Sequence, residues 1–142
     1  MRPAMWTRRV LFGLGISATA WSLALATLPP KEPPDYFYLV FFEPGSTELS
    51  AQARATIAGA VRESKEWAQL PVFVDGHGDA AESAATGIAL SQARAEAVKA
   101  ELIRAGVAPN RIQRVKGYGN SKPFRPKGEM LDRRVEIRIG DI

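Results

Sequence analysis

Hydrophobic and polar positions follow two different periods along the chain, and these periods predict strands and helices in turn. The segment YFYLVFFE, residues 36–43, is apolar on both alternating faces, as expected of a strand that is covered on both sides. PVFVDGH, residues 71–77, predicts a second short buried strand, and RIQRVKGYG, residues 111–119, predicts a third. RRVEIRI, residues 133–139, alternates strictly and predicts a last strand.

Two segments between these strands have the helical period. The first helix is predicted to begin after Ser50, a residue type that caps helix N-termini. Its inward stripe consists of Ile57, Val61, Ser64 and Ala68. The second helix is predicted from about Gly87 to Ala105, ending at Gly106, a typical C-terminal residue. Its inward stripe consists of Ser91, Ala95, Val98, Leu102 and Ala105.

The order of elements is therefore β-α-β-α-β, followed by a loop containing Pro123 and Pro126 and a final strand. Helical crossovers join parallel strands, so we expect the early strands to be parallel neighbours. The predicted fold class is α/β, in the form of an α+β two-layer sandwich with a mixed sheet covered by helices.

The N-terminal part has a different character. VLFGLGISATAWSLALA, residues 10–26, follows three arginines and ends in Ala-Leu-Ala, which is typical of a secretory signal peptide. A retained membrane anchor is the alternative, although this run is shorter than the about 20 residues of a spanning helix. The signal peptide and the membrane anchor both predict that the rest of the chain is exported. The proline-rich segment 27–35 predicts a stiff linker, so the expected organisation is signal or anchor 1–26, linker 27–35 and one domain 36–142.

The amino-acid composition argues against several classes of functional site and partner. Three of the 19 Lys and Arg precede residue 27, so the remaining chain has 16 bases against 15 acids. The absence of cysteine excludes disulfides, thiolate zinc sites and cysteine nucleophiles. Residues 111–142 hold nine bases and four acids, but they match no nucleic-acid motif, and export removes the usual partners. We therefore interpret this charge as a solvated surface and predict no nucleic-acid binding.

The loop GHGD, residues 76–79, contains the only histidine of the chain. Together with Glu82, His77 and Asp79 raise the hypothesis of a hydrolase or metal site. However, no nucleophile-elbow pattern is present, and a zinc site usually has two or more His or Cys ligands. We therefore favour a packing role for His77 and predict no enzymatic activity, no metal and no cofactor.

Two arginines lie on predicted faces that are otherwise apolar. Arg94 is four residues before Val98 and points about 40° from it, inside the edge of the helical stripe. Arg133 shares the face of Val135 in the last strand, by the period of two. A buried unpaired charge is costly, so each arginine needs an anion. Pairing with structural carboxylates is one alternative, but two arginines and Asp79 favour a binding site.

Four short motifs follow one another with a fixed spacing. They are GHGD at 76–79, LSQARA at 90–95, GYG with Pro123 at 117–123, and DRRV at 132–135. In this order and spacing they resemble the pattern of the OmpA-like, peptidoglycan-binding domain of bacterial envelope proteins. The resemblance covers about residues 37–140, which is essentially the whole predicted domain.

The resemblance implies an OmpA-C-like fold and non-covalent binding of peptidoglycan in the periplasm or envelope of a Gram-negative bacterium. By position, Asp79 would hold the ammonium group and Arg94 the carboxylate of diaminopimelate in the stem peptide. Arg133 would add to anion binding or brace Asp79. Other envelope proteins are the further candidate partners, and a membrane is contacted only through the N-terminal segment if it is uncleaved.

Four positions depart from the family pattern: Gly78 for the usual Thr, Glu82 for a Gly, Gly87 for an Asn and Asp132 for an Asn. Gly87 removes a polar side chain from the ligand loop, and Glu82 adds a carboxylate that can compete with a ligand for Arg94. An open groove shared by Asp79 and Arg94 would favour peptidoglycan binding. Closure of Arg94 by Glu82 would favour a degenerate scaffold of this fold that binds envelope proteins.

Overall fold

The computed structural model describes residues 36–123 and 129–140. Along these ranges the elements are β1 (Tyr36–Phe41), α1 (Ala51–Glu66), β2 (Val72–Gly76), α2 (Ala84–Arg104), β3 (Ile112–Gly117), a short helix α3 (Glu129–Asp132) and β4 (Arg134–Ile139). The predicted signal or anchor segment, the linker, Phe124 and Pro126 lie outside the described residues. No helix within the described ranges is both long and apolar enough to cross a membrane.

The ends of the two long helices follow local chemistry. Ser50 caps α1, because its hydroxyl accepts a hydrogen bond from the amide of Ala53 at 3.0 Å. Ser83 caps α2 in the same way, so α2 begins three residues before the predicted Gly87. Gly106 follows α2 with a φ of +112°, a left-handed conformation that favours glycine and confirms the predicted stop.

The sheet has the order β1-β4-β2-β3. The strand β4 is antiparallel to both of its neighbours, whereas β2 and β3 are parallel. The prediction of parallel neighbours is therefore right for β2 and β3 but wrong for β1 and β2, because β4 lies between them. Placing β4 inside the sheet allows complete burial of its apolar residues Val135, Ile137 and Ile139. The predicted α/β class with a mixed sheet is confirmed.

The hydrophobic core lies between the two long helices and one face of the sheet. It joins strand residues such as Val40 and Val74 to Ile57 of α1 and to Val98 of α2. The other face of β1 is accessible to solvent, since Phe37 is 46% exposed. The prediction that the first strand is covered on both sides is therefore wrong, and the domain has two layers.

Helix α2 packs very closely on β2 and β3. A Cβ atom at Gly76 would lie 2.0 Å from the carbonyl oxygen of Ser91, and one at Gly117 would lie 2.4 Å from the amide nitrogen of Gln92. The hydroxyl of Ser91 also accepts a hydrogen bond from the amide of Gly119 at 2.9 Å. These contacts hold the loops after β2 and β3 beside α2, at the edge of the sheet that carries the predicted site.

Candidate functional site

Asp79 lies in the loop between β2 and α2 and is almost completely buried. Its Oδ2 accepts a hydrogen bond from Nη1 of Arg133 at 2.8 Å, and its Oδ1 accepts one from the amide of Ala81 at 3.0 Å. The hydrogen bond from Arg133 lowers the pKa of Asp79, and this effect exceeds the opposing effect of burial. Asp79 is therefore an ionised, rigidly held carboxylate at neutral pH.

Arg94 projects from α2 into the interior, and its side chain has no solvent exposure. Its Nε donates to the carbonyl of Ser46 at 2.9 Å, its Nη1 to the carbonyl of His77 at 3.4 Å, and its Nη2 to the carbonyl of Glu43 at 3.4 Å. The guanidinium carbon also lies 5.6 Å from the centre of the Phe42 ring. Backbone from two loops therefore fixes the position of this guanidinium.

Glu82 supplies a charged partner for Arg94. Its Oε1 accepts a hydrogen bond from Nη2 of Arg94 at 3.3 Å. Its Oε2 is buried and accepts no hydrogen bond from the described part of the protein. A Cβ atom on Gly78 would lie 2.1 Å from this Oε2, so the carboxylate occupies space that the missing side chain leaves. Two of the four departures from the family pattern thus fit one another.

The structure brings the three predicted site residues into one cluster. Asp79 is paired with Arg133, and the charges of both act on the pKa of Arg94. Burial lowers the pKa of Arg94, whereas the carboxylates of Glu82 and Asp79 oppose that effect. The open groove shared by Asp79 and Arg94, which would favour peptidoglycan binding, is not found among the described residues. The side chain of Arg94 is completely enclosed by protein. A groove of about 270 Å³ opens beside Arg133 and Met130.

A larger depression, of about 480 Å³, lies away from this cluster and is lined partly by Arg54, Glu101 and Arg104. Hydrogen bonds, above all from Arg104, lower the pKa of Glu101 to about 2. Both arginines are thus already paired with this carboxylate. We place the candidate site at Asp79 rather than at this depression, because the three residues predicted from the sequence motifs, Asp79, Arg94 and Arg133, come together there.

His77 has structural contacts. It is 2% exposed, its ring stacks on Tyr118 with 5.5 Å between centroids, and its Nε2 lies 3.5 Å from Oε1 of Glu136. The side chains of His77, Asp79 and Glu82 each have a different partner. In the described part of the chain, no three His, Asp or Glu residues come together in a group that could hold a metal ion. The geometry therefore gives no support to the hydrolase or metal hypothesis.

Sequence reasoning missed the acceptors that hold Arg94. The carbonyl groups of Glu43 and Ser46 come from the loop after β1, and any residue type offers a carbonyl oxygen. The only local signal is Gly45, which takes a φ of +67° and turns the loop. That glycine indicates a turn but not the direction of the neighbouring carbonyl groups.

A sequence model of the OmpA family matches residues 41–136. An outer membrane protein of Gluconacetobacter diazotrophicus is 40% identical over 110 residues, which cover 70% of this chain and 29% of that protein. A peptidoglycan-associated lipoprotein of Mesorhizobium japonicum is 30% identical over 84 residues, or 59% of this chain and 49% of the relative. The chain thus spans between about a quarter and a half of the curated relatives it matches.

Solved structures give the same fold. The peptidoglycan-associated lipoprotein of Burkholderia pseudomallei superposes with a TM-score of 0.66 at 24% identity, covering 72% of this chain and 89% of that one. The C-terminal domain of Helicobacter pylori MotB superposes with a TM-score of 0.65 at 24% identity, covering 73% of this chain and 84% of that one. At these identities the likeness shows the fold alone.

Proposed function

The chain belongs to the OmpA family, and from this premise we propose that its folded domain binds peptidoglycan non-covalently in the bacterial cell envelope. Two relatives are named peptidoglycan-associated lipoproteins, and others are outer membrane proteins, which supports a role in the envelope. The observation that carries the proposal is the cluster of Asp79, Arg94 and Arg133, in which opposite charges lie side by side at one edge of the sheet. The role we propose is binding rather than catalysis.

The cluster has the chemistry to recognise an amino-acid head group. Diaminopimelate in a peptidoglycan stem presents an ammonium group and a carboxylate close together. Asp79 is the proposed partner of the ammonium group and Arg94 that of the carboxylate. Arg133 positions Asp79 and keeps it ionised. Each charge-assisted hydrogen bond contributes about 1.5–3 kcal/mol, so single-site affinity is modest and the repeating polymer raises it.

A ligand reaches these buried groups by way of the loop between Asp79 and Ser83. Ala80, Ala81 and Ser83 are exposed, and the hydrogen bond from the amide of Glu82 to the carbonyl of Asp79 is long, at 3.4 Å. Exposed segments with few buried contacts open at low free-energy cost. Displacement of Glu82 and the exposed residues beside it would uncover Arg94.

A second candidate function is that of a scaffold that binds envelope proteins. The contact between Glu82 and Arg94 favours it, since the guanidinium is sealed and already has a carboxylate. In that case the ionic cluster would only brace the loops around α2.

We further propose that the protein acts in the periplasm of a Gram-negative bacterium, with residues 1–26 as signal peptide or anchor and 27–35 as linker. Mass spectrometry of the protein from cell envelopes tests this. A mature N-terminus near residue 27 supports cleavage, and an intact Met1 in the membrane fraction supports an anchor. Recovery of the full chain from the cytoplasm would contradict export.

Co-sedimentation with purified diaminopimelate-type sacculi tests the binding proposal. We expect the wild type to be retained and the variants Asp79→Asn and Arg94→Lys to lose about 90% of that retention, corresponding to the loss of one charge-assisted contact. Glu96→Gln and Arg62→Lys are matched controls, because both residues are exposed on the helices. Thermal unfolding of each variant separates lost binding from lost folding. Wild-type retention no greater than that of folded site variants would overturn the proposal and favour the scaffold.

A further inference from the structure

Glu82 occupies the position on Arg94 that a ligand carboxylate requires. We propose that Glu82 is a specificity-determining residue of this site, whose carboxylate competes with the carboxylate of the ligand and so reduces the preference for a free carboxylate over a carboxamide. This inference rests on the proposed function and concerns the same site. Three observations support it. Glu82 accepts a hydrogen bond from Arg94, this hydrogen bond is long, and the absence of a side chain at Gly78 leaves space for the carboxylate of Glu82.

The donors of Arg94 show why the two carboxylates compete. The Nε and Nη1 atoms already donate to the carbonyls of Ser46 and His77. The Nη2 atom donates to the carbonyl of Glu43 and to Oε1 of Glu82. Backbone carbonyls bind three of the five N–H donors of Arg94, and Glu82 binds a fourth. A ligand carboxylate that binds through the usual two parallel hydrogen bonds therefore needs the N–H that Glu82 uses. A ligand carboxylate therefore has to displace Glu82.

The hydrogen bond between Arg94 and Glu82 is weak enough for a ligand carboxylate to displace Glu82. Its Oε1 lies 3.3 Å from Nη2 of Arg94, whereas the pair of Asp79 and Arg133 is at 2.8 Å. Charge-assisted hydrogen bonds between nitrogen and carboxylate oxygen are usually about 2.7–2.9 Å long. In addition, no donor among residues 36–123 and 129–140 reaches the buried Oε2 of Glu82, which is a cost that ends when the side chain swings outward. Glu82 thus lowers affinity for a carboxylate without abolishing it.

The absence of a side chain at Gly78 leaves the space that the carboxylate of Glu82 occupies. A Cβ atom at position 78 would lie 2.1 Å from Oε2 of Glu82, so even alanine requires that carboxylate to move. The obstructing atom is the end of a flexible side chain, and Gly78 is not one of the glycines with positive φ. Gly78→Ala therefore moves Glu82 off Arg94 at little cost to the fold. Gly87 is the matched control, because its added Cβ would be 3.5 Å from Glu82, an ordinary contact distance.

Titration of the full chain with two synthetic stem peptides, L-Ala–γ-D-Glu–diaminopimelate with a free or an amidated side-chain carboxylate, tests the inference. We expect Glu82→Ala and Gly78→Ala each to bind the free-carboxylate peptide about tenfold more tightly than the wild type, the equivalent of about 1.4 kcal/mol. Binding of the amidated peptide should change much less. The double variant should gain no more than either single variant, because both changes remove the same contact. Gly87→Ala and the exposed-carboxylate control Glu96→Ala should match the wild type.

Two results would overturn the inference, and they differ in what they say about the site. If Glu82→Ala and Gly78→Ala bind both peptides as the wild type does, while Asp79→Asn weakens binding, Glu82 does not set specificity but the proposed function stands. If the wild type and all variants bind neither peptide, the proposed function fails and the inference fails with it.

Discussion

The two faces of the sheet hold their ionic groups in different ways. On the helix side, Arg94 is completely buried and three backbone carbonyls bind it. On the face away from the helices, Asp75 of β2 accepts hydrogen bonds from Arg114 of β3 at 2.9 and 2.6 Å. On that same face, Arg138 of β4 stacks over Phe37 of β1, which is largely exposed. These two outer pairs thus need only two neighbouring strands, whereas the inner cluster needs loops from distant parts of the chain.

This difference indicates which charges the fold depends on. An ion pair with a partly exposed partner contributes less net stability than a buried one, since water competes for that partner. Removal of one member of a buried cluster leaves polar groups unsatisfied in a place that water does not reach. We therefore expect the cost of substitution to fall from Arg94 to the partly exposed pair of Asp75 and Arg114, and further to Arg138.

The largest loss of stability is expected for Arg94→Met. The substitution keeps much of the side-chain volume but leaves the carbonyls of Ser46 and His77 without their donor, and it leaves the carboxylate of Glu82 without a counter-charge. We expect the free energy of unfolding to fall by about 3 kcal/mol or more. Urea unfolding at pH 7 measures this, and a loss below about 1 kcal/mol would contradict the buried arrangement.

Asp79→Asn is expected to cost about 2 kcal/mol at pH 7, because it removes the negative charge that pairs with the buried guanidinium of Arg133 and leaves a weaker hydrogen bond to an amide oxygen. The pKa of Asp79 lies below its ordinary value of 3.8 in the folded protein. The stabilisation from the ionised form is therefore present above pH 3.8 and is lost as the pH falls through the folded pKa. Unfolding curves of wild type and variant should converge under those acid conditions. A gap that is constant down to pH 2 would count against the ion pair.

Asp75→Asn on the outer face is expected to cost about 1 kcal/mol. Asp75 itself is buried, but the side chain of its partner Arg114 is 30% exposed, so water replaces part of the lost interaction. Thermal unfolding at low and high salt provides the measurement, and the difference between wild type and variant should shrink with salt. A loss as large as that of Arg94→Met would remove the distinction between the two faces.

Arg138→Gln should have the smallest effect, within about 0.5 kcal/mol of the wild type. Its guanidinium carbon lies 5.7 Å from the centre of the Phe37 ring, and exposed cation–π contacts of this kind contribute about 0.5–1 kcal/mol before the side chain repacks. Urea unfolding tests this as well. A fall in the free energy of unfolding of more than about 1.5 kcal/mol would show that Arg138 makes more than this one exposed contact.

Much of the fold could be predicted from local patterns. The caps at Ser50 and Gly106 depend on residues within a few positions, and both are found as predicted. The position of β4 could not be predicted in this way, because it depends on pairing with strands far away in the chain. The exposure of Phe37 has the same origin, since the packing of helices on a sheet face is a property of the whole fold.

The charged residues of the candidate site could be predicted from the sequence, but the contact that encloses Arg94 could not. Asp79, Arg94 and Arg133 were identified from motif spacing and from charge on apolar faces, and the structure brings them together. The contact of Glu82 with Arg94 was only one of several alternatives, because it depends on a side-chain conformation that the space beside Gly78 permits. Sequence periodicity does not report the volume available to a side chain.

A crystal structure of the protein with the free-carboxylate stem peptide would show whether Asp79 and Arg94 bind the ligand. We expect the ligand ammonium group within about 3 Å of the carboxylate of Asp79, and the ligand carboxylate on Nη2 of Arg94. Glu82 should be turned away from Arg94 in that complex. A peptide bound elsewhere, for example in the depression beside Glu101, with the contact between Arg94 and Glu82 intact, would show that Asp79 and Arg94 do not form the binding site.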